Sequence, residues 1–184
     1  MFTGEYGVTL DETCRISLPR NLRDELKTNT VYMCRGEEGC LWLFTDERWV
    51  RLVESVVTST NPDSKDNISN PFFQEGRLVS RRILGTGQKL DIDKQGRVVV
   101  PPSLRDFAGL SKDCIVLGQF DYIEVWNKDH YDAYLKASEE EYRAASRELG
   151  ARIKNDGEPG NYGHSSHSGP SRRDNTLSCS EGKE

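Results

Sequence analysis

Hydrophobic and polar positions follow one pattern twice along this chain. The stretch Leu10-Asp11-Glu12-Thr13-Cys14-Arg15-Ile16-Ser17-Leu18-Pro19-Arg20-Asn21-Leu22-Arg23-Asp24 recurs as Ile92-Asp93-Lys94-Gln95-Gly96-Arg97-Val98-Val99-Val100-Pro101-Pro102-Ser103-Leu104-Arg105-Asp106. Asp, Arg, Pro, Leu, Arg and Asp coincide at a constant shift of 82, and similar residues fill the remaining apolar positions. Leu41-Trp42-Leu43-Phe44 falls on Ile123-Glu124-Val125-Trp126 at the same shift, and Trp49 falls on Tyr131. Between these blocks Val31-Tyr32-Met33 matches Ile115-Val116-Leu117 best, at a shift of 84, with the difference absorbed in turns, where changes of length cost least. Self-similarity at a fixed offset marks a duplicated structural unit.

Each copy predicts the same elements. A strand runs to Asp11 or Asp93, a tight turn leads to Arg15 or Arg97, and a short apolar run follows, Ile16-Ser17-Leu18 or Val98-Val99-Val100. Proline then opens a short helix, because its missing N–H is no loss in the first turn. That helix is expected over Arg20–Leu26 and over Ser103–Ala108, where Gly109 closes it. A hairpin comes next: Val31–Cys34 turning at Gly36-Glu37-Glu38-Gly39 into Leu41–Phe44, and Ile115–Gly118 turning near Asp121 into Ile123–Trp126. Thr45 and Asn127, again 82 apart, suit the N-caps of the helices that follow. Trp49, Leu52, Val53 and Val56 give the first of these an amphipathic face. Further helices are expected from Phe72 to Leu84 and from Lys128 to about Arg152. The last is long enough to meet another subunit, or to fray at its acidic Glu139-Glu140-Glu141.

A single β-turn-β, helix and hairpin unit buries little. Two units can interleave their strands into one small closed barrel, which removes the sheet edges. The predicted architecture is therefore α+β: residues 1–54 form the first unit, 55–88 a helical connection and 89–152 the second unit with its C-terminal helix. Residues 153–184 form a tail. From Asn155 onward Gly, Ser, Asn, Pro and charge dominate, with only Tyr162, Leu177 and Cys179 apolar, too little burial to offset chain entropy. Disorder is expected there, and His164, His167 and Cys179 read as parts of a polar tail rather than as metal ligands.

Composition narrows the function. The 184 residues are 30% charged with a formal net charge of −5, which on its own argues against a nucleic-acid partner. Distribution matters more than the sum. Residues 77–112 hold 8 Lys/Arg against 3 Asp/Glu: Arg77, Arg81, Arg82, Lys89, Lys94, Arg97, Arg105 and Lys112. No stretch is apolar enough to predict a membrane span, and Met1-Phe2-Thr3-Gly4-Glu5 does not read as a secretory leader. The five cysteines, 14, 34, 40, 114 and 179, contain no C-x-x-C pair. A reducing cytoplasm is the expectation.

The repeated Asp-x-x-x-Arg brackets a turn and admits two compatible readings. Asp can lock the turn through an ion pair, and Arg15 and Arg97 can project to phosphates or guanine edges through the bidentate guanidinium fork. An enzyme is not expected. A thiol nucleophile needs a base, and His130 is the only histidine in the folded part. No G-x-S-x-G, P-loop or G-x-G-x-x-G pattern is present, nor a His/carboxylate cluster for a metal, so no cofactor and no small-molecule substrate are expected.

These residues resemble the MraZ family, bacterial relatives of the AbrB-type swapped-hairpin DNA-binding proteins. The likeness covers about residues 1–150: Met1-Phe2 with Gly4, Leu10-Asp11, Arg15-Ile16-Ser17-Leu18-Pro19, Asp93-Lys94-Gln95-Gly96-Arg97, Gly118-Gln119-Phe120 and Ile123-Glu124-Val125-Trp126. The resemblance implies two tandem AbrB-like swapped-hairpin units and a cytoplasmic, nucleoid-associated regulator. It implies a ring-shaped homo-oligomer that binds short direct repeats upstream of the division and cell-wall gene cluster and represses that promoter, including its own gene. Double-stranded DNA and further copies of the chain are the expected partners. Arg15 and Arg97 are expected on the DNA-facing surface with Lys94, Arg20, Arg81 and Arg82, and Asp11 and Asp93 are expected to orient the motif. The first turn departs from the family pattern, with Thr13-Cys14 where Lys and Gly are common. Without glycine, which takes positive φ readily, the turn type is open to change and the two halves need not contribute equally. A protein-interaction module of the antitoxin kind, sharing the same barrel, is the alternative reading.

Overall fold

The structure, a computed structural model, describes residues 1–58 and 74–156. The chain divides into two compact units, Met1–Glu139 and Glu140–Glu184.

Among the described residues of the first unit there are eight strands and five helices, all but the middle helix following the repeat. The first copy supplies β1 (Glu5–Thr9), β2 (Arg15–Ser17), α1 (Arg20–Leu26), β3 (Thr30–Arg35), β4 (Leu41–Phe44) and α2 (Asp46–Thr58). After α3 (Gln74–Ile83) and a 3₁₀ turn (Leu84–Thr86), the second copy supplies β5 (Gln88–Asp91), β6 (Arg97–Val99), α4 (Pro102–Phe107), β7 (Asp113–Gln119), β8 (Tyr122–Asn127) and α5 (Lys128–Ala137). The predicted α1 is matched residue for residue. Phe72 and Phe73, expected in the middle helix, lie outside the described residues, as does most of the predicted tail.

The strands form a six-stranded antiparallel sheet, β1-β7-β8-β4-β3-β5, and a two-stranded ribbon, β2-β6. Four ladders join the two copies: β1 pairs with β7, β3 with β5 and β4 with β8 in the sheet, and β2 with β6 in the ribbon. The fold is α+β as expected, but its strands do not close into a barrel by continuous ladders. The ribbon meets β1 and β5 only through the single bridges Leu10↔Ile16 and Ile92↔Val98. With three residues in β2 and β6 and a tight turn ahead of each, one bridge is all the length allows.

The core repeats as the sequence does. Ile16, Leu18, Leu22, Leu26, Leu41 and Leu43 are buried with Val98, Val100, Leu104, Ala108, Ile123 and Val125 in one cluster, each pair 82 apart. Elsewhere Trp49 of α2 stacks on Tyr32 at 4.9 Å, while Tyr131 of α5 packs on Trp126 at 5.5 Å. Burying such side chains contributes roughly 1.5–3 kcal/mol each.

Ladder register corrects the offset of the hairpin strand. Val8 faces Cys114 and Leu90 faces Val31. Since Val8 and Leu90 are equivalent, so are Val31 and Cys114, which stand 83 apart rather than 84. Apolar matching could not see this, because Cys114, Ile115, Val116 and Leu117 are buried on both faces and the parity that normally sets register is lost.

The expected helix from Lys128 to about Arg152 is broken. Ser138 Oγ and N both bond to the Tyr134 carbonyl, at 2.8 and 2.9 Å, and end α5, a serine competing with its own helix ladder. α6 (Glu139–Asp156) then starts on three glutamates, which suit the positive end of a helix dipole. In the second unit, α6 carries Tyr142, Leu149 and Ile153 exposed and a 2.5 Å Arg152–Glu148 pair. No described helix is long and apolar enough to cross a membrane.

Candidate nucleic-acid interface

The two Asp-x-x-x-Arg turns are built alike. Asp11 N donates to Arg15 O and Cys14 N to Asp11 O, both at 2.9 Å. In the second copy Asp93 N donates to Arg97 O at 2.9 Å and Gly96 N to Asp93 O at 2.8 Å. Each aspartate also accepts the arginine's own backbone N–H on Oδ1, at 2.9 Å. The turn type survives the loss of glycine: Cys14 takes φ 58° where Gly96 takes φ 78°. A non-glycine residue in that left-handed region is held there against a local cost.

What surrounds each turn differs. Asp11 Oδ1 also accepts Thr13 N and Thr13 Oγ1, at 2.8 and 2.7 Å, and these bonds hold its carboxyl below the usual range, the Thr13 hydroxyl most. Asp93 is lowered too, first by the backbone N–H of Arg97 and then by its side chain. Arg97 Nε and Nη2 both lie 2.8 Å from Asp93 Oδ2, and Nη2 also donates to Gln95 Oε1 at 3.1 Å. The expected approach of Asp to Arg is therefore made in the second copy alone. Arg15 has no carboxylate partner among the described residues.

Helices cross over to close the turns. Arg105 of α4 donates from Nη1 to Cys14 Sγ at 2.8 Å, and Arg23 of α1 donates from Nη1 to Gln95 O at 3.1 Å. A Cβ on Gly96 would stand 2.0 Å from Arg23 Nη1. These two arginines were not among the expected site residues, although their 82-residue spacing within the repeat marks them. Turn carbonyls then enter the ribbon: Leu18 N donates to Gly96 O and Val100 N to Cys14 O, at 2.9 and 2.8 Å.

The register Arg15↔Val99, Ile16↔Val98, Ser17↔Arg97 sets the faces of the ribbon. Ile16 and Val98 are fully buried. Side chains alternate along a strand and opposite residues share a face, so Arg15, Ser17, Arg97 and Val99 all lie on the outward side. Arg15 and Arg97 are diagonal neighbours, whose backbones stand about 7–8 Å apart in such a ladder. Lys94 is exposed in its turn, and Glu12 occupies the equivalent place in the other. Arg20 opens α1, largely exposed, 3.8 Å from Asp24.

Arg81 and Arg82 stand elsewhere. They end α3, where Arg82 Nη2 donates to Gly36 O at 3.2 Å and Nε lies 3.8 Å from Glu37. Three of the folded part's thiols are buried: burial pushes Cys34 up to about 12, Cys114 up to about 11 and Cys40 higher still. Cys14 is half-buried in its turn.

A family model described as "MraZ protein, putative antitoxin-like" matches residues 1–67 and 83–152. The chain is similar to a "Transcriptional regulator MraZ" of Treponema denticola, 38% identical over 148 residues, covering 80% of this chain and 96% of that protein. It is similar to proteins of that description from Pediococcus pentosaceus, 33% identical over 77% of this chain and 92% of the relative. The relative in Frankia casuarinae is 33% identical over 81% of this chain and 96% of its own length. With the duplicated Asp-x-x-x-Arg turns in place and most of its length matched, the chain belongs to the MraZ family.

Proposed function

We propose that this chain is a sequence-specific DNA-binding transcriptional regulator that lays the outward face of the β2–β6 ribbon, with its two turns, against double-stranded DNA. The observation that carries this reading is the common face of Arg15 and Arg97, set by the Ser17↔Arg97 and Arg15↔Val99 pairs above buried Ile16 and Val98. A two-stranded ribbon fits a major groove, and arginine reads guanine or binds phosphate through its planar fork. Lys94 and Arg20 add phosphate contacts, and Asp93 holds Arg97 in place.

The relatives' name, transcriptional regulator, supports the class. On this reading the interleaved copies are two swapped-hairpin units, and the chain acts on the nucleoid in the cytoplasm. It assembles as a ring-shaped homo-oligomer on direct repeats upstream of division and cell-wall genes, its own included, and represses them. A ring answers the objection of net negative charge: one ribbon offers few contacts, but linked copies on repeated sites gain about 10²–10⁴ in avidity.

Footprinting on the DNA upstream of its own gene, with particle size measured in the same sample, tests the reading. Protection at evenly spaced repeats, lost in Arg15→Ala/Arg97→Ala, is the expected result. Protection unchanged by that double substitution overturns it.

A further inference from the structure

Outside the ribbon, three arginines line one cavity beside Phe107. Arg35 at the end of β3 and Arg82 of α3 set their guanidinium carbons 4.8 and 5.4 Å from the centre of the Phe107 ring. With Leu78 and Arg81 they line an open cavity of about 440 Å³. Arg35 and Arg81 have no carboxylate partner among the described residues, and Arg35 Nε is buried without a hydrogen-bond acceptor. Among the described residues, Glu37, half-exposed, lies 3.8 Å from Arg82.

Three guanidiniums around one cavity repel each other unless an anion joins them, and an unmet buried donor is costly. Their stacking on Phe107 fixes two of the three planar forks, so little order has to be created on binding. Phosphate matches such forks with paired, charge-assisted hydrogen bonds. We propose that this cavity is a binding site for a multiply charged phosphate-bearing anion, held by Arg35, Arg81 and Arg82, with Glu37 displaced to the rim.

The site does not depend on what the ribbon binds, yet the two are connected through α4. Arg105 and Phe107 lie two residues apart, about 200° around a helix. One reaches the Cys14 turn and the other the cavity. An anion that holds Phe107 in place therefore restrains the helix that closes the first turn.

Titration calorimetry of the full chain with inorganic pyrophosphate provides the test. Saturable binding is expected, weakened about tenfold or more by Arg81→Gln and unaffected by Arg15→Ala/Arg97→Ala. The Arg81 side chain makes no hydrogen bond or ion pair among the described residues, so its substitution leaves folding intact, checked by melting. Arg35→Gln should weaken binding further. Absence of saturable heat, or equal binding by wild type and Arg81→Gln, overturns the proposal. Repeating the titration on promoter-bound protein identifies the source of the phosphate. Pyrophosphate displaced by DNA assigns the cavity to the nucleic-acid backbone, and simultaneous binding assigns it to a free anion. Loss of promoter binding in the ribbon variant with pyrophosphate binding intact separates this site from the ribbon.

Discussion

Arg105 Nη1 lies 2.8 Å from Cys14 Sγ, although the two residues belong to different copies of the repeat. Its counterpart Arg23 lies over Gly96 in the other turn. Each copy's helix thus closes the other copy's turn, and the presence or absence of a Cβ decides whether the arginine meets a side chain or bare backbone.

Substitution at the two left-handed positions should have unequal effects. Gly96→Ala places a Cβ at φ 78° and against Arg23, and is expected to cost about 1–2 kcal/mol. Cys14→Gly relieves the same backbone cost but gives up the bond from Arg105 to Sγ, so its net effect is expected to stay within about 1 kcal/mol. Urea denaturation of both variants measures the difference, and equal effects would contradict it.

Single arginine variants separate binding from folding. Arg15→Ala and Arg97→Ala should each weaken promoter DNA by about 1–3 kcal/mol, read by gel shift. The Arg15 side chain makes no ion pair among the described residues and acts on Asp11 only through its charge, so the melting temperature of its variant should barely move. Arg97 loses a partly exposed pair with Asp93, worth no more than about 1 kcal/mol.

Glu12 places an acid on the first turn where Lys94 stands on the second. Glu12→Lys should tighten DNA binding and steepen its salt dependence, since each added phosphate contact releases further counterions. Weaker binding, or an unchanged slope of log K against log salt, would count against contact by the first turn.

Both turn aspartates titrate below their ordinary range in the folded chain. A depressed folded pKa stabilises above the unfolded value, about 3.9, and that stabilisation is lost as pH falls through the folded values. Stability should therefore fall as pH drops below about 4. Asp11→Asn/Asp93→Asn should flatten that limb of the pH profile. A limb as steep as that of the wild type would show that other carboxylates set it.

Asn127 caps α5 from a buried position, accepting from Asp129 N and His130 N while Nδ2 donates to Gly109 O at 2.8 Å. Asn127→Ala is expected to cost about 1–2 kcal/mol. Thr45→Ala, whose 3.3 Å bond to Arg48 N is longer, should cost less, and thermal melts of the pair rank them.

Much of this was readable from the residues, because local rules and tertiary demands agree. Proline, apolar spacing and Gly109 placed α1 and α4 within a residue, and Thr45 and Asn127 cap as composition requires. The Asp-x-x-x-Arg turns were legible because the motif occurs twice. Three features were hidden for physical reasons. Register of β7 was masked by burial on both faces. The break at Ser138 depends on one hydroxyl choosing its own helix carbonyl. The Arg105–Cys14 and Arg35–Phe107 contacts join elements brought together only by interleaving, and charge pattern along the chain does not report such meetings.

The strand order gives this chain the topology of a heterodimer on a single covalent tether. Four ladders cross between the copies, so a polypeptide cut between α2 and α3 should stay together as complementing fragments. Either fragment made alone would expose unpaired strand edges and aggregate. Duplication has made each half the other's chaperone, and a change in one, such as cysteine for glycine, persists only where its twin accommodates it.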